Sequence, residues 1–239
     1  MTTRLPISDV LLASRVEAIV RGRSAEHLVA VCDTLIPSGV RCLEITTNTP
    51  GWTDGIRTLR SRYGAEVDLG SGTVLTPEHV AQTVDAGGAF IVSPSLDLGV
   101  GAAAAAAGLA WYPGTLTPTE MVTAWNAGAT AVKVFPAATA GGPEYLKHVR
   151  APLDEVLMIP TGGITAGDIP GYLRAGASAV GVGSPLIGDS LSTGDLSGLR
   201  ARAAAILAAA APAVSAAGSA AGAVSAAAPS GAVGSEGPA

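Results

Sequence analysis

The chain reads as short apolar runs, each followed by a longer segment in which apolar residues recur at helical spacing. Strands are expected at 16–20, 41–46, 67–70, 89–92, 109–112, 131–135, 156–159 and 178–182. Between them lie expected helices at 24–37, 52–63, 76–86, 117–127 and 165–175, one through the alanine run closed by Gly108, and one through His148. A short helix at 5–13 precedes the first strand and a last helix covers 196–210. Ser24, and the pairs Thr76-Pro77 and Thr117-Pro118, read as helix starts, because a hydroxyl can cap free N–H groups and proline suits the first helical position.

Alternating strands and helices at this spacing imply a parallel sheet. Eight units predict an α/β fold of the closed (β/α)8 TIM-barrel type, with the short N-terminal helix in front. An open doubly wound sheet is the alternative, but no Gly-x-Gly-x-x-Gly follows the first strand. The expected barrel domain spans 1–210. From 211 to 239 the chain is nearly all Ala, Gly, Ser, Pro and Val, and reads as a low-complexity, disordered tail.

Composition narrows the function. The net charge of −5, without a basic run, argues against a nucleic-acid surface. No apolar run reaches membrane-spanning length, and residues 1–23 lack a signal-peptide core, so a cytoplasmic protein without a membrane partner is expected. Cys32 and Cys42 read as core thiols of a reduced compartment. His27, His79 and His148 all fall in helices, so no carboxylate–histidine cluster forms at strand ends and no metal is expected.

Of the 14 Lys and Arg residues only Lys133 and Lys147 are lysine, and Lys133 sits inside the apolar strand Ala131-Val132-Lys133-Val134-Phe135. Arginine stays charged, whereas a desolvated lysine can become an amine nucleophile. A lysine whose head reaches solvent is the competing reading. Side chains alternate along a strand, so Cys42, Glu44 and Thr46 share one face and Ala131, Lys133 and Phe135 share another. If the flanking leucine, isoleucine and valines face the helices, Glu44 and Lys133 face one interior. A buried structural ion pair is the alternative. Thr161-Gly162-Gly163 and Gly183-Ser184, with the helix starts that follow, form a potential anion site. Arg21, Asn48, Thr73 and Pro94 also lie at or just beyond strand ends. An amine, a carboxylate and an anion cradle suit Schiff-base chemistry on a phosphorylated or carboxylated carbonyl compound.

Seven segments occur in the order of a known family: Gly39-Val40-Arg41-Cys42-Leu43-Glu44-Ile45-Thr46, Gly70-Ser71-Gly72-Thr73-Val74-Leu75, Phe90-Ile91-Val92-Ser93-Pro94, Tyr112-Pro113-Gly114, Val132-Lys133-Val134-Phe135-Pro136-Ala137, Pro160-Thr161-Gly162-Gly163-Ile164 and Gly181-Val182-Gly183-Ser184. In these the chain resembles the class I 2-keto-3-deoxy-6-phosphogluconate / 4-hydroxy-2-oxoglutarate aldolases. The resemblance implies a homotrimeric barrel without metal or other cofactor. It assigns the Schiff base to Lys133, acid–base work to Glu44 and binding of the pyruvate part to Thr73. It also implies cleavage of a 2-keto-3-deoxy sugar acid to pyruvate and an aldehyde, glyceraldehyde 3-phosphate or glyoxylate.

The gluconate-type enzymes have arginine where this chain has Asn48. The related 2-keto-3-deoxy-6-phosphogalactonate aldolases are similar to this chain in that asparagine, in a Pro and Trp like Pro50 and Trp52, and in an arginine matching Arg21. Arg21 is then the expected clamp for the substrate carboxylate. Two other readings stay open: an isomerase or epimerase with Glu44 as base and Lys133 as electrophile, and a non-catalytic sugar-phosphate or keto-acid binding protein.

Overall fold

The computed structural model describes residues 4–220, with side chains through residue 211. Among the described residues there are nine strands: β1 (Val16–Val20), β2 (Cys42–Thr46), β3 (Asp68–Gly72), β4 (Phe90–Val92), β5 (Ala110–Tyr112), β6 (Gly114–Thr115), β7 (Val132–Val134), β8 (Met158–Pro160) and β9 (Val180–Val182). All pairings are parallel. Six strands run in the order β5-β4-β3-β2-β1-β9 and three in the order β6-β7-β8. Thr161 and Gly181 form a further parallel bridge beyond β8. The result is an α/β fold built on a curled parallel sheet.

The single strand expected at 109–112 is two, β5 and β6, divided at Pro113. Proline has no N–H to give to a ladder. Its carbonyl still accepts a hydrogen bond from the Lys133 N–H at 2.8 Å, which ties this break to β7.

Among the described residues eleven α-helices accompany the sheet: α1 (Asp9–Ser14), α2 (Leu28–Leu35), α3 (Trp52–Tyr63), α4 (Pro77–Asp85), α5 (Leu98–Ala107), α6 (Pro118–Asn126), α7 (Gly142–Arg150), α8 (Ile169–Arg174), α9 (Ser184–Ile187), α10 (Ser190–Thr193) and α11 (Leu199–Ala220). Thr76 and Thr117 cap α4 and α6 as expected, and Glu120 completes a capping box on α6. Such caps contribute roughly 1 kcal/mol each.

Three helix starts differ from expectation. Ser24 does not cap α2; its hydroxyl accepts the Glu26 N–H at 3.1 Å in a turn, and the helix begins at Leu28. The residues after β1 therefore remain loop. The first helix begins after Ser8, whose hydroxyl accepts the Leu11 N–H at 3.0 Å. Thr165 does not open α8, because the Asp168 carboxylate accepts both its N–H, at 2.9 Å, and its hydroxyl, at 2.6 Å. The expected boundary at 211 falls inside α11, and the rest of the expected tail, 221–239, lies outside the described residues. Among the described residues no helix is long and apolar enough to cross a membrane.

The core has two parts, and strand parity sorts residues between them. Leu43, Ile45, Val132 and Val134 pack outward with helix residues such as Leu28, Ile56 and Met121. Cys42, Phe90, Val92, Tyr112, Ala131 and Ile159 pack inside the curl, with Ile7 and Leu11 beside them.

Candidate active site

Parity carries Glu44 and Lys133 to the inner side of the sheet. Lys133 is 4% exposed and Glu44 not at all, and Lys133 Nζ lies 3.6 Å from Glu44 Oε1. Neither carboxylate oxygen has a hydrogen-bond partner among the described residues. The opposite charge thus offsets desolvation while the lone pairs remain available. The Lys133 ammonium also sits 5.6 Å from the Phe135 ring centre, within cation–π range. Gly72 of β3 makes room for the carboxylate, since a Cβ there would lie 2.7 Å from Glu44 Cδ.

A cavity of about 400 Å³ opens above this pair, at the C-terminal ends of the strands. Seven of the expected residues line it with Lys133: Arg21, Pro94, Thr161, Gly162, Gly163, Gly183 and Ser184. Glu44 lies beneath the wall. Gly162 and Gly163 have φ of +97° and +76°, a left-handed pair that favours glycine and brings backbone to the wall. The helix start expected immediately after them is absent, for α8 begins only at Ile169; after β9, α9 does start at Ser184.

Asn48 lines a second, more open cavity of about 810 Å³. It shares Arg21 and Gly188 with the first, so the two spaces meet at these residues. Thr73 lines neither cavity, yet its hydroxyl accepts a hydrogen bond from Arg21 Nη2 at 3.3 Å. Thr73 has φ +58°, which is strained for a β-branched residue. The Thr47 hydroxyl donates to the Thr73 carbonyl at 2.7 Å and holds that turn.

Four further residues shape the site, and of these Ile19 and Glu17 escaped sequence reading. Phe135 and Ile19 are walls of the cavity, Thr47 braces Thr73, and Glu17 lies inside the sheet. Glu17 is 1% exposed, and its register partner is Cys42, as Ile19's is Glu44. Burial, reinforced by the Glu44 carboxylate and opposed by Lys133, pushes its carboxyl up to about 8. The two-residue period linking Glu17, Ile19 and Arg21 was the available signal.

The chain has matches among known proteins. Residues 7–201 match the family model described as KDPG and KHG aldolase. The 2-dehydro-3-deoxy-6-phosphogalactonate aldolase of Escherichia coli (strain K12) is 35% identical over 170 residues, 71% of this chain and 82% of that protein. The KHG/KDPG aldolase of the same organism is 32% identical over 188 residues, 78% of this chain and 88% of that protein. The structure of the KDPG aldolase of Legionella pneumophila, with pyruvate captured at low pH as a covalent carbinolamine intermediate, superposes with a TM-score of 0.76. That match has 27% identity and covers 82% of this chain and 96% of the other. The chain belongs to the KDPG and KHG aldolase family, and it is a lyase of the class I aldolase type.

Proposed function

We propose that Lys133 forms the Schiff base, that Glu44 moves the protons, and that the substrate is a 2-keto-3-deoxy-6-phosphohexonate or its short analogue 4-hydroxy-2-oxoglutarate. The observation that carries this reading is the buried Lys133–Glu44 pair, 3.6 Å apart, under a cavity with a glycine-rich wall.

The Lys133 amine attacks the C2 carbonyl, and the carbonyl oxygen takes a proton from the Glu44 carboxyl to give a carbinolamine whose cationic nitrogen passes its extra proton to the new hydroxyl. Loss of water gives the cationic imine, with Glu44 ionised. Glu44 then takes the C4 hydroxyl proton, the C3–C4 bond breaks, and its electron pair moves to the imine nitrogen. The aldehyde leaves. The resulting enamine takes the proton back from Glu44 at C3, and hydrolysis frees pyruvate and Lys133. The iminium and the Glu44 charge appear and vanish together, which keeps the buried site neutral throughout.

Arg21, tethered to Thr73, is the group suited to the substrate carboxylate. Pro94 bounds the carbonyl end. The backbone at Thr161, Gly162, Gly163, Gly183 and Ser184 is suited to the phosphate. Asn48 beside Arg21, in place of an arginine, favours the galactonate epimer over the gluconate one. We also propose that the sheet closes as a (β/α)8 barrel. The Thr161–Gly181 bridge and the Ser178 N–H donating to the Met158 carbonyl at 2.9 Å support closure. A cytoplasmic homotrimer completes the proposal.

Pyruvate release from the two phosphorylated epimers, and from 4-hydroxy-2-oxoglutarate, tests the substrate. The expected order puts the galactonate epimer first. Turnover of none of the three contradicts the reading.

A further inference from the structure

The mechanism above uses two of the ionisable groups inside the sheet and leaves Glu17 without a role. Its side chain is almost wholly buried, and its Oε1 has no hydrogen-bond partner among the described residues. Glu17 and Ile19 are on the inner face of β1, with Cys42 and Glu44 opposite them on β2. The other titratable groups of this interior are Asp68 on β3, Tyr112 on β5 and Lys133 on β7. Two groups of this interior act on Glu17: the Glu44 carboxylate disfavours its ionisation and the Lys133 cation favours it. Leucine would fill such a place at far lower desolvation cost, since a buried carboxyl without a full set of partners is destabilising.

We propose that Glu17 is a positioning residue for the imine-forming lysine: a carboxyl in the floor of the site that carries its proton while Lys133 reacts and that, once ionised, holds the proton on Lys133. The inference rests on the reading of Lys133 as the nucleophile. With Glu17 protonated, the Lys133–Glu44 couple is the only charged pair in the floor, and one proton passes between its members. With Glu17 ionised, one cation faces two carboxylates. The ammonium form of Lys133 gains a second counter-charge, the free amine becomes scarcer, and attack on the keto carbon slows. No atom is transferred to or from the substrate by Glu17; its effect is exerted through Lys133. The switch falls near pH 8, where the carboxyl titrates.

The test is the rate of imine formation with pyruvate, a probe that needs no knowledge of the aldehyde. Enzyme and pyruvate are mixed at pH 6 to 9, quenched at intervals with borohydride, and the reduced adduct is counted by intact mass. The quantity read is the rate of Glu17→Gln divided by that of wild type. Below pH 7 this ratio is expected to be constant, because Gln copies the shape and neutrality of the protonated acid. Above pH 8 it should rise by about threefold to tenfold, the effect of a charge–charge interaction of up to about one pKa unit. Glu17→Leu, which also lacks the charge, should show the same rise on a different baseline, and it serves if Glu17→Gln does not fold. A ratio independent of pH, or one that falls above pH 8, overturns the role of Glu17 while leaving Lys133 as the nucleophile. Absence of any adduct in wild type overturns the reading of Lys133 and this inference with it.

Discussion

Lys133 Nζ and Glu44 Oε1 stand 3.6 Å apart with both side chains buried, and neither oxygen of the carboxylate has a hydrogen-bond partner among the described residues. A pair kept only for stability would gain from hydrogen bonds to its remaining lone pairs. Leaving them free suits a group that gives and takes protons. Glu44→Gln keeps the shape and removes that capacity. It should lower kcat by about 10²-fold or more, the usual worth of a positioned acid–base group. Steady-state pyruvate release measures it, and near-wild-type turnover would assign the pair to structure.

Thr73 is strained at φ +58°, and strain of this kind clusters at functional sites. Thr73→Gly should therefore stabilise the fold by about 1 kcal/mol, the penalty a non-glycine residue bears in this region. It should also raise KM, because the hydroxyl bonded to Arg21 is gone. Thermal melts and substrate titration read the two effects separately. Thr47→Val should raise KM in the same direction by loosening the turn, and Thr47→Ser should restore it.

Gly72 faces the Glu44 carboxyl so closely that an added methyl group would lie 2.7 Å from its Cδ. Gly72→Ala should displace Glu44 and reduce turnover about as far as Glu44→Gln, with the circular dichroism spectrum unchanged. Wild-type turnover would mean that Glu44 has freedom the packing denies.

Glu17 gives the fold a pH dependence of predictable sign. The carboxyl ionises near 4.5 in the unfolded chain but keeps its proton up to about 8 in the folded one. Its contribution is therefore largest below pH 4.5 and is lost progressively as pH rises to about 8. Melting temperatures of wild type and Glu17→Gln should diverge across this range, with the variant gaining relative to wild type, and the gap should level off above pH 8. A gap that does not change with pH contradicts the burial of an ionisable group here.

Much of this was legible in the sequence because parity in a short parallel strand is strict. Once the valines, leucine and isoleucine around Lys133 and Glu44 are taken to face the helices, as they do, the two charges point inward together. Turn chemistry was legible where a cap was unambiguous, as at Thr76 and Thr117. It misled at Ser24 and Thr165, whose hydroxyls serve local turns instead, since capping and turn bonds compete for the same donors. Pro113 dividing β5 from β6 follows from the missing N–H, but the resumption of pairing at Gly114 depends on where β7 lies. Phe135 follows from the parity that turns Lys133 inward, whereas the Thr47 hydroxyl bond to the Thr73 carbonyl joins two loops, which spacing alone does not carry. Glu17 was legible by the same parity as Arg21, yet an acid within an apolar strand draws notice only once its burial is known.

Lys133 is the proposed nucleophile, and this chain offers an internal control for that role. Only one other lysine exists, Lys147, which is exposed on α7 beside Glu144. Incubation with pyruvate and borohydride, followed by digestion and mass spectrometry, should place the reduced pyruvyl group on Lys133 and leave Lys147 unmodified. An adduct on Lys147 alone, or none on either lysine, would contradict the account.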